Sequence, residues 1–240
     1  MNILIAGQKW FGAEVFKALR ELPGVSVTAV CAPPGDRLRA QAGLSGVPVI
    51  GKLTAQTMPG GVDLIVAAHS HDFISERTRL RAAFGGIGYH PSLLPLHRGR
   101  DAVRWAIRMG ERVTGGSVYR LSNRMDGGDV LAQRHVFIAP GESAEALWRD
   151  SLAPLGVGLL AQVVAAYGRD GYQHGAAQDE ALATWEPSID RPPAYRPDLL
   201  MIEGPAARRP ARALPPGLHP WLVAEAEGDA ALYESLLEPA

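Results

Sequence analysis

Four stretches of the chain place residues capable of chemistry close together. In Tyr89-His90-Pro91-Ser92-Leu93-Leu94-Pro95-Leu96-His97-Arg98-Gly99, a histidine ends an apolar run and a loop stiffened by two prolines follows. Imidazole titrates near neutral pH, so His90 suits general acid or base work, although a lone histidine more often serves structure. Met125-Asp126-Gly127-Gly128-Asp129 offers a carboxylate that can orient an imidazole if the two meet in space. The same Asp-Gly-Gly run also suits a hairpin turn. His69-Ser70-His71-Asp72 has donor types that zinc or another transition metal accepts, but no third and fourth ligands stand at matching positions. The plainer reading is the polar rim of a cleft. Gly7-Gln-Lys-Trp-Phe-Gly12 puts glycines where a strand would turn into a helix and backbone N–H groups favour anions. Its spacing is not GxGxxG, and Cys31-Ala-Pro-Pro brings no ribose-binding carboxylate, so a structural turn is favoured over a nucleotide site.

The elements that position these stretches alternate. Residues 2–6 are a short apolar run, and residues 13–22 carry Val15, Phe16, Leu19 and Leu22 on one helical face. Runs at 25–31 and near Ile87 read as further strands, and those at 47–50 and 63–68 as strands buried on both faces; such runs separated by helical stretches suggest a parallel sheet with right-handed crossovers. A helix is expected over 101–109, with Asp101 as its N-cap. Segments 114–121 and 130–138 alternate as an antiparallel pair, and a long helix spans 142–167. The pattern predicts an α/β, Rossmann-like, mostly parallel sheet with helices on both faces. His90 and the 69–72 segment then fall at the carboxyl ends of strands, where such sheets bind ligands.

Together, the HPSLLP…RG segment and MDGGDVLAQ resemble the formyltransferase family that uses 10-formyltetrahydrofolate. Its members act on glycinamide ribonucleotide, methionyl-tRNA and nucleotide sugars, and it includes formyltetrahydrofolate hydrolases. The resemblance covers roughly residues 1–165. It implies the formyltransferase fold, His90 and Asp126 as catalytic residues, and a pterin site formed by His71, Asp72, Phe73, Leu94, Gly128 and Asp129. Most members place Asn two residues before the histidine, where this chain has Gly88; loss of one oxyanion donor costs roughly 10²–10³ in rate. The 89–95 run, the His97-Arg98-Gly99 continuation and the opening GQxxFGxEV are most similar to the hydrolase domain of 10-formyltetrahydrofolate dehydrogenase, which also lacks the Asn. The resemblance therefore implies formyl transfer from 10-formyltetrahydrofolate to a small-molecule amine, with water as the rival acceptor. A third reading is a catalytically weak folate-binding protein. No metal is implied.

Composition limits the alternatives. The 240 residues carry 24 Lys+Arg against 25 Asp+Glu, so no global charge attracts nucleic acid. Cys31 is the one cysteine, which excludes an intrachain disulfide. The opening MNILIAGQKW lacks a basic n-region and no uninterrupted apolar run reaches membrane length, so a cytoplasmic protein without membrane association is expected. Prolines cluster from Pro187 to Pro216, which places a catalytic domain at 1–175 and a Pro/Arg-rich linker with a short C-terminal extension at 176–240. That extension is too short for the further barrel-like domain that helps methionyl-tRNA formyltransferases hold tRNA. Arg191, Arg196, Arg208, Arg209 and Arg212 read as a solvated or partner-docking tail ahead of an RNA site. Residues 221–237 carry an apolar helical face suited to packing on the body or on a second copy in a homo-oligomer.

Overall fold

In the computed structural model, which describes residues 1–70 and 72–190, strands and helices alternate through the first half. The order is β1 (Asn2–Gly7), α1 (Lys9–Arg20), β2 (Ser26–Cys31), α2 (Arg37–Leu44), β3 (Val49–Ile50), β4 (Leu64–Ala68), α3 (Glu76–Arg79) and β5 (Gly86–His90). There follow α4 (Ala102–Arg108), β6 (Val113–Arg120), β7 (Val130–Phe137), α5 (Ala144–Ala146), a π-helical turn (Leu147–Leu152) and α6 (Ala153–Asp170). The Arg cluster that begins at Arg191 and the expected helical face at 221–237 lie outside the described residues, as does His71.

One seven-stranded sheet has the order β3-β2-β1-β4-β5-β6-β7. The first five strands are parallel, while β6 runs antiparallel to β5 and to β7. Side chains alternate between the faces of a strand, so β1, buried from Ile3 to Gly7, needs cover on both. Ile3 and Ile5 pack in a layer with Phe16 and Leu19 of α1, Leu38 of α2, and Leu160 and Val164 of α6. Leu4 and Ala6 belong to the opposite layer with Leu53, Met58, Val62 and Ile74, so irregular chain covers most of that face. By length and composition the helical run 144–170 could cross a membrane, yet Leu159, Leu160, Val163 and Val164 are buried in the core.

Several elements depart from the periodicity in ways that bear on the site. Helix α1 begins at Lys9 rather than residue 13, because the chain turns into it directly from β1. A Cβ on Gly7 would stand 2.2 Å from the Ala68 carbonyl oxygen, so only glycine lets β1 approach β4 at this turn. Asp36 joins the turn to α2: one carboxylate oxygen accepts from Lys9 N at 2.8 Å and the other from Leu38 N at 2.8 Å. The Gly7–Gly12 stretch is thus closed by the protein's own carboxylate. Asp101 stands before α4 but makes no side-chain cap; its carboxylate accepts from Ile189 N at 2.9 Å instead. The body also extends beyond residue 175, since segment 176–190 bonds back to β7, α4 and the 95–98 loop.

Tyr89, next to His90, is anchored by tight packing. Its hydroxyl donates to the Leu152 carbonyl at 2.7 Å, within the π-helical turn, and its ring fills space left by glycines. A Cβ on Gly156 would meet that ring at 2.5 Å, whereas one on Gly158, two residues along α6, would meet nothing within 4 Å. Gly156→Ala is therefore expected to destabilise by about 1–3 kcal/mol through overpacking. Gly158→Ala is expected to stabilise by about 0.5–1 kcal/mol by relieving backbone entropy in a helix. Urea unfolding of both variants checks the opposite signs.

Candidate active site

Strands β4 and β5 end beside the β1–α1 turn, where the strand order reverses, and a cavity of about 880 Å³ opens there. Such a switch point is where open α/β sheets bind ligands, and the volume lies in the range of small-molecule sites. His90, the last residue of β5, lines it and is buried at 6% exposure. Its Nε2 lies 2.7 Å from the His97 carbonyl oxygen, which can only accept, so Nε2 carries hydrogen. Nδ1 is left facing Asp126 Oδ2 across 3.6 Å, beyond a direct hydrogen bond. The imidazole is thus fixed at one nitrogen and available for proton exchange at the other.

Asp126 has φ of 51°, a left-handed conformation uncommon for a residue with a side chain. Three bonds hold it there. Tyr119 Oη donates to Oδ1 at 2.6 Å, Gly99 N donates to Oδ2 at 2.9 Å, and Gln178 Nε2 donates to the Asp126 carbonyl at 2.7 Å. Gln178 Nε2 also lies 2.7 Å from the Gly128 carbonyl oxygen, while its Oε1 accepts from Arg98 Nε and Nη2. Arg98, 1% exposed, is ion-paired with Glu180 at 2.9 Å and holds that carboxyl below its ordinary range. Among the described residues the other non-glycine positive φ values belong to Lys9, His69 and His97. The first two line the cavity, and the third supplies the carbonyl that orients His90. Such backbone strain collects at functional sites.

His97 forms the second attachment of segment 176–190. Its Nε2 lies 2.7 Å from Glu111 and its Nδ1 3.0 Å from Glu186, the latter contact being poorly aligned for a hydrogen bond. Burial alone would lower the imidazole pKa, but the bond and charge of Glu111, with Glu186 behind them, outweigh it and raise the value. The backbone N of His97 donates to Thr184 Oγ1, and Arg98 N to the Thr184 carbonyl. One segment therefore fixes both His90, through His97, and Asp126, through Gln178.

The expected site residues divide. His90, Asp126, Asp72 and Phe73 line the cavity, with Phe73 64% exposed at its mouth. Leu94 does not: its side chain is buried, its N donates to Ser117 Oγ, and its carbonyl accepts from Gln133. Gly128 and Asp129 also lie outside the lining. A Cβ on Gly128 would stand 1.8 Å from the Arg120 carbonyl, and the Asp129 carbonyl accepts from Arg120 N, so both shape the turn after Asp126. Among the described residues no group of three or more His, Cys, Asp and Glu is arranged to hold a metal ion. Tyr119, Gln178 and Trp148 join the site without a motif of their own to announce them, and Arg98 joins it from the HPSLLP…RG segment. Trp148 lies beside Phe11 and His69 on the π-helical turn, a feature frequent at functional sites.

A Rossmann-like sheet with a His–Asp pair in a cleft at its strand ends is an arrangement suited to group transfer or hydrolysis. The model of the Formyl transferase family matches residues 50–164. Human cytosolic 10-formyltetrahydrofolate dehydrogenase is 31% identical over 203 residues, which are 78% of this chain and 22% of that protein. This chain thus spans about a fifth of the length of that relative. Phosphoribosylglycinamide formyltransferase from Bacillus halodurans shares the fold with TM-score 0.62 at 20% identity, over 71% of this chain and 96% of that one. An N-formyltransferase from Helicobacter canadensis, solved with folinic acid and dTDP-3-aminofucose, gives TM-score 0.65 at 16% identity, over 79% of this chain and 72% of that one. The chain belongs to the formyltransferase family.

Two measurements check the attachments of segment 176–190. Gln178→Leu leaves the Asp126 and Gly128 carbonyls without their donor and is expected to cost about 1–3 kcal/mol in urea unfolding. The His97 pKa is raised on folding, so its contribution is fully present below the ordinary imidazole value of 6.5 and is lost as pH rises through the raised value. The stability gap between the wild type and Glu186→Gln should accordingly narrow as pH rises from below 6.5 through the raised value, as thermal melts across that interval would show.

Proposed function

We propose that this chain takes the formyl group of 10-formyltetrahydrofolate and transfers it to the amine of a small molecule. The observation that carries this reading is the cavity-facing pair of His90 Nδ1 and Asp126 Oδ2, 3.6 Å apart, with each partner fixed from behind by independent bonds. Family membership supports the formyl donor as substrate, and Phe73 at the cavity mouth offers an aromatic face to a flat ring. At about 880 Å³ the cavity has room for a second reactant beside the donor's reacting end.

Formyl transfer requires two proton movements: the attacking amine must lose a proton and the departing N10 must gain one. Asp126 Oδ2 is placed to take the first. His90, protonated at Nδ1, is placed to give the second. Because Nδ1 and Oδ2 face each other, the proton gained by Asp126 can return to His90 and reset both groups. The tie from Nε2–H to the His97 carbonyl keeps the ring from turning away during this exchange. Neither role requires charge supplied from outside the pair.

Water as acceptor would use the same two groups, and Gly88 favours that second reading because the hydrolase domain that the chain resembles also lacks the Asn usual at this position. Incubating the full chain with 10-formyltetrahydrofolate, with and without a panel of small primary amines, separates the two. The transferase reading predicts N-formyl product that depends on amine and a rate without amine that is lower by at least about tenfold. Equal turnover to tetrahydrofolate and formate in the absence of amine would overturn it in favour of hydrolysis.

A further inference from the structure

We propose that the Tyr119 hydroxyl is the donor that stabilises the formyl oxygen as it becomes an oxyanion, and that Gly88 exists to let the phenol reach it. The inference rests on the formyl-transfer reading above. In the β5–β6 ladder Gly88 stands directly opposite Tyr119. A Cβ built on Gly88 would lie 3.3 Å from both the hydroxyl oxygen and Cε1 of Tyr119, and 3.1 Å from Leu121 Cδ2. A longer side chain at position 88 would therefore project into the space that the phenol oxygen holds. Glycine at 88 and tyrosine at 119 are two halves of one arrangement that brings a hydroxyl over β5 into the cavity.

The hydroxyl is well placed and its proton is retained. Tyr119 is 8% exposed, lines the cavity, and donates to Asp126 Oδ1 at 2.6 Å. Burial, with the Asp126 charge adding to it, keeps the phenol far above its ordinary pKa. The His90 Nε2–H stays on the His97 carbonyl, and Gly99 N–H, bound like Tyr119 to the Asp126 carboxylate, is fixed in the backbone, whereas the Tyr119 O–H can rotate about its C–O bond. An oxyanion forming between His90 and Asp126 needs a preorganised donor in a water-poor site, and Tyr119 is the hydroxyl that already touches the catalytic carboxylate.

The step balances without a co-reactant. The amine nitrogen bonds to the formyl carbon, the carbonyl electron pair moves to the formyl oxygen, and the amine proton passes to Asp126. Protonated Asp126 accepts less strongly, so the Tyr119 O–H turns to the oxyanion, and no O–H bond of tyrosine breaks. As the C=O bond re-forms, the C–N10 pair leaves on N10, which takes the proton from His90 Nδ1. Asp126 then returns its proton to His90 and receives the Tyr119 hydrogen bond again.

Single-turnover formyl transfer by the full chain tests this with Tyr119→Phe, Gly88→Asn and the two combined, each checked for folding by thermal melts. Tyr119→Phe keeps the ring and should lower the rate roughly 10²–10³-fold. Its KM for the donor should stay within about threefold of wild type. Gly88→Asn places a carboxamide where the phenol oxygen was, so the combined variant should recover at least about tenfold over Tyr119→Phe. Gly88→Asn alone should be slow, because two groups claim one space. A Tyr119→Phe rate within about threefold of wild type would overturn the proposal. So would a slow Tyr119→Phe that the added Gly88→Asn change does not rescue, which would leave Tyr119 a positioning residue for Asp126. A wild type that passes the formyl group to no amine in the panel would instead overturn the formyl-transfer reading itself.

Discussion

Asp126 occupies a backbone conformation that costs of the order of 1–3 kcal/mol, and much of the surrounding structure acts to keep it there. Its two carboxylate oxygens are held by Tyr119 and Gly99, and its carbonyl by Gln178. Those three donors come from β6, from the loop after β5 and from the segment after α6. The strained turn is thus held by the sheet, the loop and that segment together. The carboxylate is thereby aimed at His90 by the fold as a whole rather than by its own stretch of chain.

The loop after β5 connects these parts. Within three consecutive residues, the His97 carbonyl orients His90, the Arg98 guanidinium anchors Gln178 and Glu180, and Gly99 N bonds Asp126. A buried charge is tolerated only when paired and hydrogen-bonded. Arg98 and His97 meet that demand with acidic and amide partners from residues 178–186 and from Glu111. The geometry of the His90–Asp126 pair and the docking of segment 176–190 therefore share one set of interactions.

Much of this is legible in the residues. Apolar runs at 2–6 and 63–68 signal strands buried on both faces, and His90 at a strand end followed by a Pro-stiffened loop signals a reactive group at the cleft. Asp126 is legible as a partner only through its pairing with the His90 motif. Leu94 sits in the same motif but its side chain packs inside the loop, and Gly128 and Asp129, expected through their backbone groups, shape the turn after Asp126. Tyr119 is hidden in a strand whose alternation marks it as ordinary packing; its role depends on the residue opposite, and cross-strand register is not written in a single segment. Gln178 is hidden by the proline cluster, which draws attention to a boundary near 175, whereas the prolines begin only at Pro187 and the intervening Gln178, Glu180, Trp185 and Glu186 belong to the body.

In the proposed function Asp126 and His90 move the protons of formyl transfer, and their surroundings aim them. Rapid-quench measurement of one turnover of 10-formyltetrahydrofolate by Asp126→Asn, beside an equilibrium titration of donor binding, tests it most directly. A rate lower by about 10²–10⁴-fold with donor affinity nearly unchanged is expected, since the amide keeps the shape but cannot take the proton. A variant that turns over at the wild-type rate would contradict it.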